Sequence, residues 1–401
     1  MLKIFILAMI MIFSLALPAG ALSEDDPLEE DLLNDDLSAG DIPADEPFLE
    51  DPADDMPLEN DPDHEEHYYR ARVLKVEEAR EDQHDYYTVI EQEVVVELTS
   101  GPFEGKELEI LNTFFEGDPV YDFVLEEGQE VIVVALGEEG SFEQVHVQDL
   151  ARDRGVYYLL GVFALVLLLV GRMKGLKTLL TLGVTIFLVF QFLLPLLLLG
   201  YSPIPLAVIM ASMAITFTLF VIGGLNLKSL VAILGTISGV IVAGLMAFWA
   251  GSIARLTGFG THEAQMLYFL DQTIDFRGLL FAGIIIGSLG AITDIGMSVA
   301  SAAAEIKQAS PDISGRDLFR GSLNVGRDIM GTMANTLIMA YVGAATPMLL
   351  LVMGYEMDWL KIINMDLIAT EFVRGVAGSI GLIAAVPVTA LLAGRLLPRR
   401  K

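Results

Sequence analysis

The sequence predicts an all-α polytopic membrane bundle of seven helices, preceded by a small extracytoplasmic β-barrel-like, OB-like domain and an acidic disordered linker. Three observations carry this. From residue 155 onward long apolar runs recur. Between 67 and 150 the apolar residues instead alternate with a period of two, as in half-buried strands. Ahead of both lies a stretch dense in Asp and Glu, so the net charge of -30 belongs to the N-terminal half rather than to one globule.

The first residues read as an export signal, assigned to residues 1–21. Lys3 supplies the positive start, Ile4 to Leu17 a short apolar core, and Ala19-Gly20-Ala21 a small-residue cleavage site. A core of about 14 residues falls short of the roughly 20 that a span requires. Residues 22–66 form the linker. Pro27-Leu28-Glu29-Glu30-Asp31 recurs loosely as Pro47-Phe48-Leu49-Glu50-Asp51 and Pro57-Leu58-Glu59-Asn60-Asp61, and Lys and Arg are absent from 23–66. Such a segment buries too little apolar surface to offset its ordering entropy. His64 and His67 beside Glu65 and Glu66 lack a buried scaffold for a metal, and no metal or other cofactor is expected.

Five strands are expected in the 67–150 domain: Tyr69–Val76, Tyr87–Leu98, Glu107–Leu111, Glu130–Leu136 and Phe142–Val147. Gly101-Pro102, Gly105 and Gly117-Asp118-Pro119 punctuate them. Acids dominate here and no basic aromatic surface is visible, so nucleic acid is excluded as a partner; a strongly acidic surface repels phosphate. An adaptor for an envelope protein, or a gating element near the membrane, fits this domain better, and the competing reading is a spacer with no specific role.

The membrane domain is assigned to 155–397, with spans at 155–171, 178–199, 204–222, 229–253, 278–304, 330–353 and 375–396. Lys and Arg set the orientation. Arg172, Lys174 and Lys177 follow span one, Lys228 follows span three, and Lys307, Arg316, Arg320 and Arg327 follow span five. Arg395, Arg399, Arg400 and Lys401 close the chain. The positive-inside rule then places the C-terminus in the cytoplasm and the N-terminal domain outside the cytoplasmic membrane, in agreement with the export signal. His262–Leu270 and Met365–Arg374 read as short amphipathic segments in the last two outer loops. Pro387 is expected to kink span seven.

Polar residues inside spans mark where chemistry could sit. Asp294 lies in an otherwise apolar stretch, and a carboxylate there must face the bundle interior or water. Ser298, Ser301 and Glu305 follow at helical spacing on the same face. On span six Arg327 and Asp328 lead into Thr332, Asn335 and Thr336; Asp328, Thr332, Asn335 and Met339 share one face. Together these nine polar residues of spans five and six would line a path for a small solute or ion. The competing reading for the Ser and Thr residues is hydrogen-bonded glue between packed helices. Small residues at Gly235 and Gly239, Gly283 and Gly287, and Gly375, Gly378 and Gly381 allow close helix approach.

Several enzyme classes are disfavoured. There is no cysteine, hence no thiol nucleophile and no thiolate metal site. No phosphate loop follows Gly101, since Lys106 lacks the Ser or Thr that completes one. His262-Glu263 begins a zinc-protease motif, but Met266 stands where its second histidine belongs. One mid-span aspartate cannot form a carboxylate dyad. The chain is therefore read as a transporter or a non-transporting scaffold or sensor, not an enzyme.

Gly290-Ala291-Ile292-Thr293-Asp294 with Ser298 and Glu305, then Gly326-Arg327-Asp328-Ile329-Met330-Gly331-Thr332-Met333-Ala334-Asn335-Thr336-Leu337, resembles the YibE/F family of bacterial membrane proteins. Gly378-Ser379-Ile380-Gly381 through Pro387 is similar to the family's last span. The resemblance extends over roughly 67–397, leaving out the acidic linker; Thr293 departs from the bulkier apolar residue expected before the aspartate. The resemblance implies a multi-pass, permease-like architecture and carries no substrate.

Overall fold

The computed structural model describes residues 66–77, 79–83, 88–115, 124–136, 144–355 and 357–397. The expectations for the export signal and nearly all of the acidic linker lie outside them. The chain divides into two compact units, one ending at Phe163 and the other beginning at Ala164.

In the first unit six strands appear among the described residues, where five were expected: β1 (Glu66–Val76), β2 (Arg80–Gln83), β3 (Thr88–Leu98), β4 (Glu107–Phe115), β5 (Glu130–Leu136) and β6 (Gln144–Leu150). The extra strand, β2, reads Arg-Glu-Asp-Gln and has no apolar alternation to reveal it. Its pairing to β3, from Arg80 opposite Glu91 to Gln83 opposite Thr88, defines it. All pairings are antiparallel, in the order β2-β3-β1-β5-β6, with β4 also on β3. Register shifts at Val73/Lys75 and Ile132/Val133 are the bulges by which a sheet bends. The edge strands β4 and β6 approach within 8 Å at their Cα atoms, with no ladder between them among the described residues.

Alternation decides the core of this sheet. Val94, Val96 and Leu98 of β3 point inward with Ala71, Val73, Ile110, Leu125, Val131 and Val133. Two polar side chains, Gln92 and Asn112, are buried with them, and Asn112 Nδ2 donates to Gln92 Oε1 at 3.4 Å. Gln92 Nε2 donates to the Leu125 carbonyl at 3.0 Å, and its Oε1 accepts the Leu125 N–H at 3.0 Å. Arg70 of β1 pairs with Asp153, and Arg154 pairs with Glu130 of β5. These contacts tie the sheet to the first turn of α1 (Asp153–Gly171).

In the second unit α2 (Met173–Leu198) carries a π-helical turn at Val189–Leu193. There follow α3 (Pro203–Gly223), α4 (Leu227–Ile253), α5 (His262–Leu270), α6 (Phe276–Ala309), α7 (Gly315–Ala344), α8 (Thr346–Gly354), α9 (Trp359–Ile363) and α10 (Asp366–Leu396). Their starts have local causes. The side chains of Asn226, Asp275 and Ser314 accept the backbone N–H of Ser229, Gly278 and Asp317, the N-cap arrangement that satisfies orphan donors. Pro203 opens α3 with its φ already helical.

Among the described residues α1, α2, α3, α4, α6 and α10 are long and apolar enough to cross a membrane. α7 and α8 together also pass, but are bent by 59°. Two expectations are corrected here. Span six, expected as one helix over 330–353, is a 30-residue helix that breaks at Ala345. Pro347 sits in the first turn of α8, where it lacks an N–H and its ring would clash with the Gly343 carbonyl in a continuous helix. Met365–Arg374 is not a separate segment. It forms the first turns of α10, which runs unbroken through Pro387. His262–Leu270, by contrast, is the short helix α5, with the bounds expected.

The helical core centres on α4, α6, α7 and α10. Ile292, Ile295 and Val299 of α6 pack with Leu318 of α7, Val240 and Ala243 of α4, and Leu382, Ala385 and Val386 of α10. α4 and α10 cross with almost no space between them. A Cβ built on Gly235 would lie 1.9 Å from Thr389 Oγ1, and one on Gly381 would lie 2.6 Å from the Gly239 carbonyl oxygen. The expected small-residue contacts therefore form here. At Gly283 they do not, since nothing lies within 4 Å of an added Cβ.

Candidate functional site

Asp294 sits on α6, which runs without a break from its Asp275 cap at about 3.6 residues per turn. Gly283, Gly287, Gly290, Asp294, Ser301 and Glu305 fall on one stripe of it, with Ser298 at the edge. The stripe does not face the core. Gly283, Gly287, Gly290, Asp294 and Glu305 are exposed, and Ser298 and Ser301 half-buried. Ile292, Ile295 and Val299, on the opposite side, make the packing contacts.

α7 lies antiparallel beside it. Gly326 approaches Val299, while Ser288 and Leu337 both meet Gly378, so Asp294 lies level with Gly331, and Asn335 one turn away, level with Gly290. Arg327, Asp328, Gly331, Thr332, Asn335 and Thr336 are all exposed. The nine residues singled out from the sequence thus share the outward side of the α6–α7 pair. They are not enclosed between the two helices, and no hydrogen bond joins them across the pair among the described residues.

Their hydrogen bonding separates them into two groups. The Thr332 hydroxyl donates to the Ile329 carbonyl at 2.9 Å and that of Thr336 to the Thr332 carbonyl at 2.9 Å. Both are satisfied by their own helix. Asp294, Asn335, Arg327, Asp328 and Glu305 have no side-chain hydrogen bond or ion pair among the described residues.

The hydroxyls buried among the helices are others, and each of them that has a partner donates to a carbonyl of its own helix rather than across to a neighbour. Ser229, Thr236, Ser288, Ser322, Ser379 and Thr389 are the buried hydroxyls of the helical unit beside Thr181 and Thr370. Their signal was available: Thr236 meets Gly296 and Thr389 meets Gly235, so a hydroxyl fills the space each glycine leaves. Gln191 was also passed over. It is an exposed amide within an apolar helix, carried in the π-helical turn of α2, and such turns often coincide with functional positions.

A second feature, largely apolar, lies at the elbow between α7 and α8. A cleft of about 170 Å³ is lined by Ile338, Tyr341, Leu349, Glu371, Phe372 and Val376 among others. Arg374 Nη1 donates to Glu371 Oε1 at 2.6 Å, and its guanidinium lies 5.9 Å from the Tyr341 ring centre. Among the described residues no three His, Asp or Glu side chains gather into a metal-ligand set.

Outside the spanning helices, the Thr273 hydroxyl and N–H, at 2.7 and 2.8 Å, hold the exposed Asp271 carboxyl below its usual range. Sign follows directly: the lowered pKa stabilises the folded loop above the ordinary aspartate value, and that contribution is lost as pH falls through the lower folded value. Replacing Asp271 with Asn is expected to loosen the α5–α6 connection near neutral pH and to change nothing in strong acid, as read by hydrogen exchange at Thr273.

Comparison with known proteins finds the family that the residues resemble, over a shorter stretch than the roughly 67–397 expected, with the β domain outside it. The family model described as YibE/F-like protein matches residues 159–399, from within α1 to beyond the end of α10. No curated protein and no solved structure matches the chain. With well over half of its length covered, and with multiple apolar helices that place it in contact with lipid, this chain belongs to the YibE/F-like family of multi-pass membrane proteins.

Proposed function

We propose that the chain is a permease or secondary transporter of a small solute or ion, with Asp294 as the proton or cation site and Asn335 as its polar neighbour. Residues 1–21 serve as export signal, 22–66 as linker, 67–150 as an OB-like domain outside the cytoplasmic membrane, and 155–397 as seven spans, counting α7 with α8 as one. Arg172, Lys174, Lys177, Lys228 and Lys307 then face the cytoplasm, with the C-terminus. On this reading the chain performs no covalent chemistry and needs no cofactor.

One observation carries the proposal. Asp294 is an ionisable group far inside an apolar helix, yet it is accessible and has no structural partner among the described residues. A carboxyl kept for packing would be buried among donors. One kept for a moving ion has to be reachable. The polar stripe continues from it through Ser301 to Glu305, giving hydrophilic footing along α6.

The test is solute and ion profiling of a strain lacking the protein, repeated with Asp294→Asn and followed by flux in membrane vesicles. The variant is expected to insert at the wild-type level and to lose most of the gradient-dependent flux. Full flux in Asp294→Asn would remove the site. The outward placement of the polar face also favours a second reading, a scaffold or sensor that binds a membrane or envelope partner, with residues 67–150 as the outer contact. In that case deleting 67–150 destroys function and Asp294→Ala is tolerated.

A further inference from the structure

Along the α6 axis Asp294 lies about 26 Å from Arg277 and about 20 Å from Lys307 at 1.5 Å per residue. That depth is inside a hydrocarbon layer about 30 Å thick. Lipid offers Asp294 and Asn335 no hydrogen bond, so protein or water has to cover the face they share. Among the described residues the one long apolar helix that buries none of its residues is unsuited to the task. α1 buries none of its residues, but Leu159 to Val170 contains no polar side chain.

The pattern on α7 points to what is suited. Asp328, Thr332, Asn335, Met339 and Val342 recur at alternating spacings of four and three, and all five face outward. This is a two-heptad seam of the kind along which parallel helices pair. An asparagine in such a seam hydrogen-bonds to its own copy and fixes register, and within lipid its amide bonds between helices. The charges are self-complementary as well. Arg327 and Asp328 are adjacent, exposed and without ion pairs among the described residues. A two-fold axis along the membrane normal sets Arg327 of each copy beside Asp328 of the other. Gly290, Gly331 and Gly343 have nothing within 4 Å of an added Cβ, which leaves room for close approach.

We propose that α7 pairs in parallel with α7 of a second copy of this chain along Asp328, Thr332, Asn335, Met339 and Val342, and that the second copy closes the polar path. The closing of the path rests on the transport reading, whereas the pairing does not. Asp294 and Ser301 of each α6 then flank the seam and line the crevices beside it. The conduit is incomplete in one chain, which explains why its residues lie on an outward face rather than in a cavity.

The absence of cysteine makes the test direct. Met339→Cys places a thiol on the seam, and Trp249→Cys places one on α4; the native side chains are 53% and 60% exposed. After oxidation with copper phenanthroline in native membranes, Met339→Cys is expected to give a disulfide-linked species of twice the monomer mass and Trp249→Cys to remain monomeric. Arg327→Asp in the Met339→Cys background should lose most of the linked species, and adding Asp328→Arg should restore it. No linked species at Met339→Cys, equal linking at both positions, or linking to a different protein would overturn the pairing. If Arg327→Asp fails to fold, the two single-cysteine variants decide alone. The two proposals fail separately. Linking at Met339→Cys with full flux in Asp294→Asn supports the pairing and removes the transport reading. Lost flux in Asp294→Asn with no linking does the reverse.

Discussion

Gly381→Val is expected to destabilise the folded helical unit by about 3 kcal/mol or more. At this position a first added carbon already lies 2.5 Å from Ala243 Cβ and 2.6 Å from the Gly239 carbonyl oxygen. Two of the three nearest atoms belong to the α4 backbone, which cannot rotate away as a side chain would. Valine adds two further methyl groups to that gap. Overpacking a core typically costs about 1–3 kcal/mol, and a clash with backbone belongs at or above the top of that range. α4 and α10 hold much of the core between them, with Ala243, Leu382, Ala385 and Ala390 fully buried, so separating them releases more than one contact. The measurement is thermal unfolding of purified protein in detergent, beside Gly183→Val, where nothing lies within 4 Å. Equal midpoints for the two variants would mean that α4 and α10 do not cross at this distance.

Gln92→Leu is the second large effect, and it acts in the β unit alone. Gln92 closes two hydrogen bonds with one residue, giving to the Leu125 carbonyl and receiving from its N–H. Leu125 is itself buried, so no water replaces the lost partner. Each buried backbone group left unsatisfied costs about 1–3 kcal/mol, and leucine removes both bonds together while keeping the volume. A loss of about 3 kcal/mol is expected in the β unit. Hydrogen exchange on the full chain reads it: the Leu125 amide and its neighbours in β3 and β5 should lose protection while α4 and α10 keep theirs. Gln92→Glu retains an acceptor for the Leu125 N–H and should fall between. Unchanged protection in Gln92→Leu would show that the amide is not the clasp between β3 and the segment before β5.

Both effects concern residues whose importance is invisible in one dimension. Gly381 was legible as a small residue at a spacing that suits helix contact, but so was Gly283, and only one of them has a neighbour. Spacing describes one helix; whether a second helix occupies that side depends on how α4, α6 and α10 pack. Gln92 sits in a strand at an inward position and breaks its alternation. From sequence it is a polar residue in the wrong place. Its partner at Leu125 lies in a connecting segment, outside any periodic pattern, so only the folded chain brings the two together.

Helix termini and breaks were legible where local chemistry dominates. α5 begins and ends at His262 and Leu270 as expected, because its Thr261 cap and the chain around it settle the matter within a few residues. The break at Ala345 was missed although Pro347 was visible, because an apolar run of span length outweighed one proline. β2 was missed for the opposite reason. A strand that borrows its order from β3 needs no apolar pattern of its own.

The membrane character, the approximate spans, the family and the polar residues worth testing were determined by the sequence alone. Each depends on composition or on spacing along a single element, and the energy of placing a side chain in hydrocarbon is set by what that side chain is. The direction in which Asp294, Asn335 and their neighbours face was decided only by the tertiary structure. A helical stripe can turn inward or outward with the same periodicity. The choice follows from which side of α6 packs best, and Ile292, Ile295 and Val299 win that competition against α4, α7 and α10. The polar stripe is left on the outside.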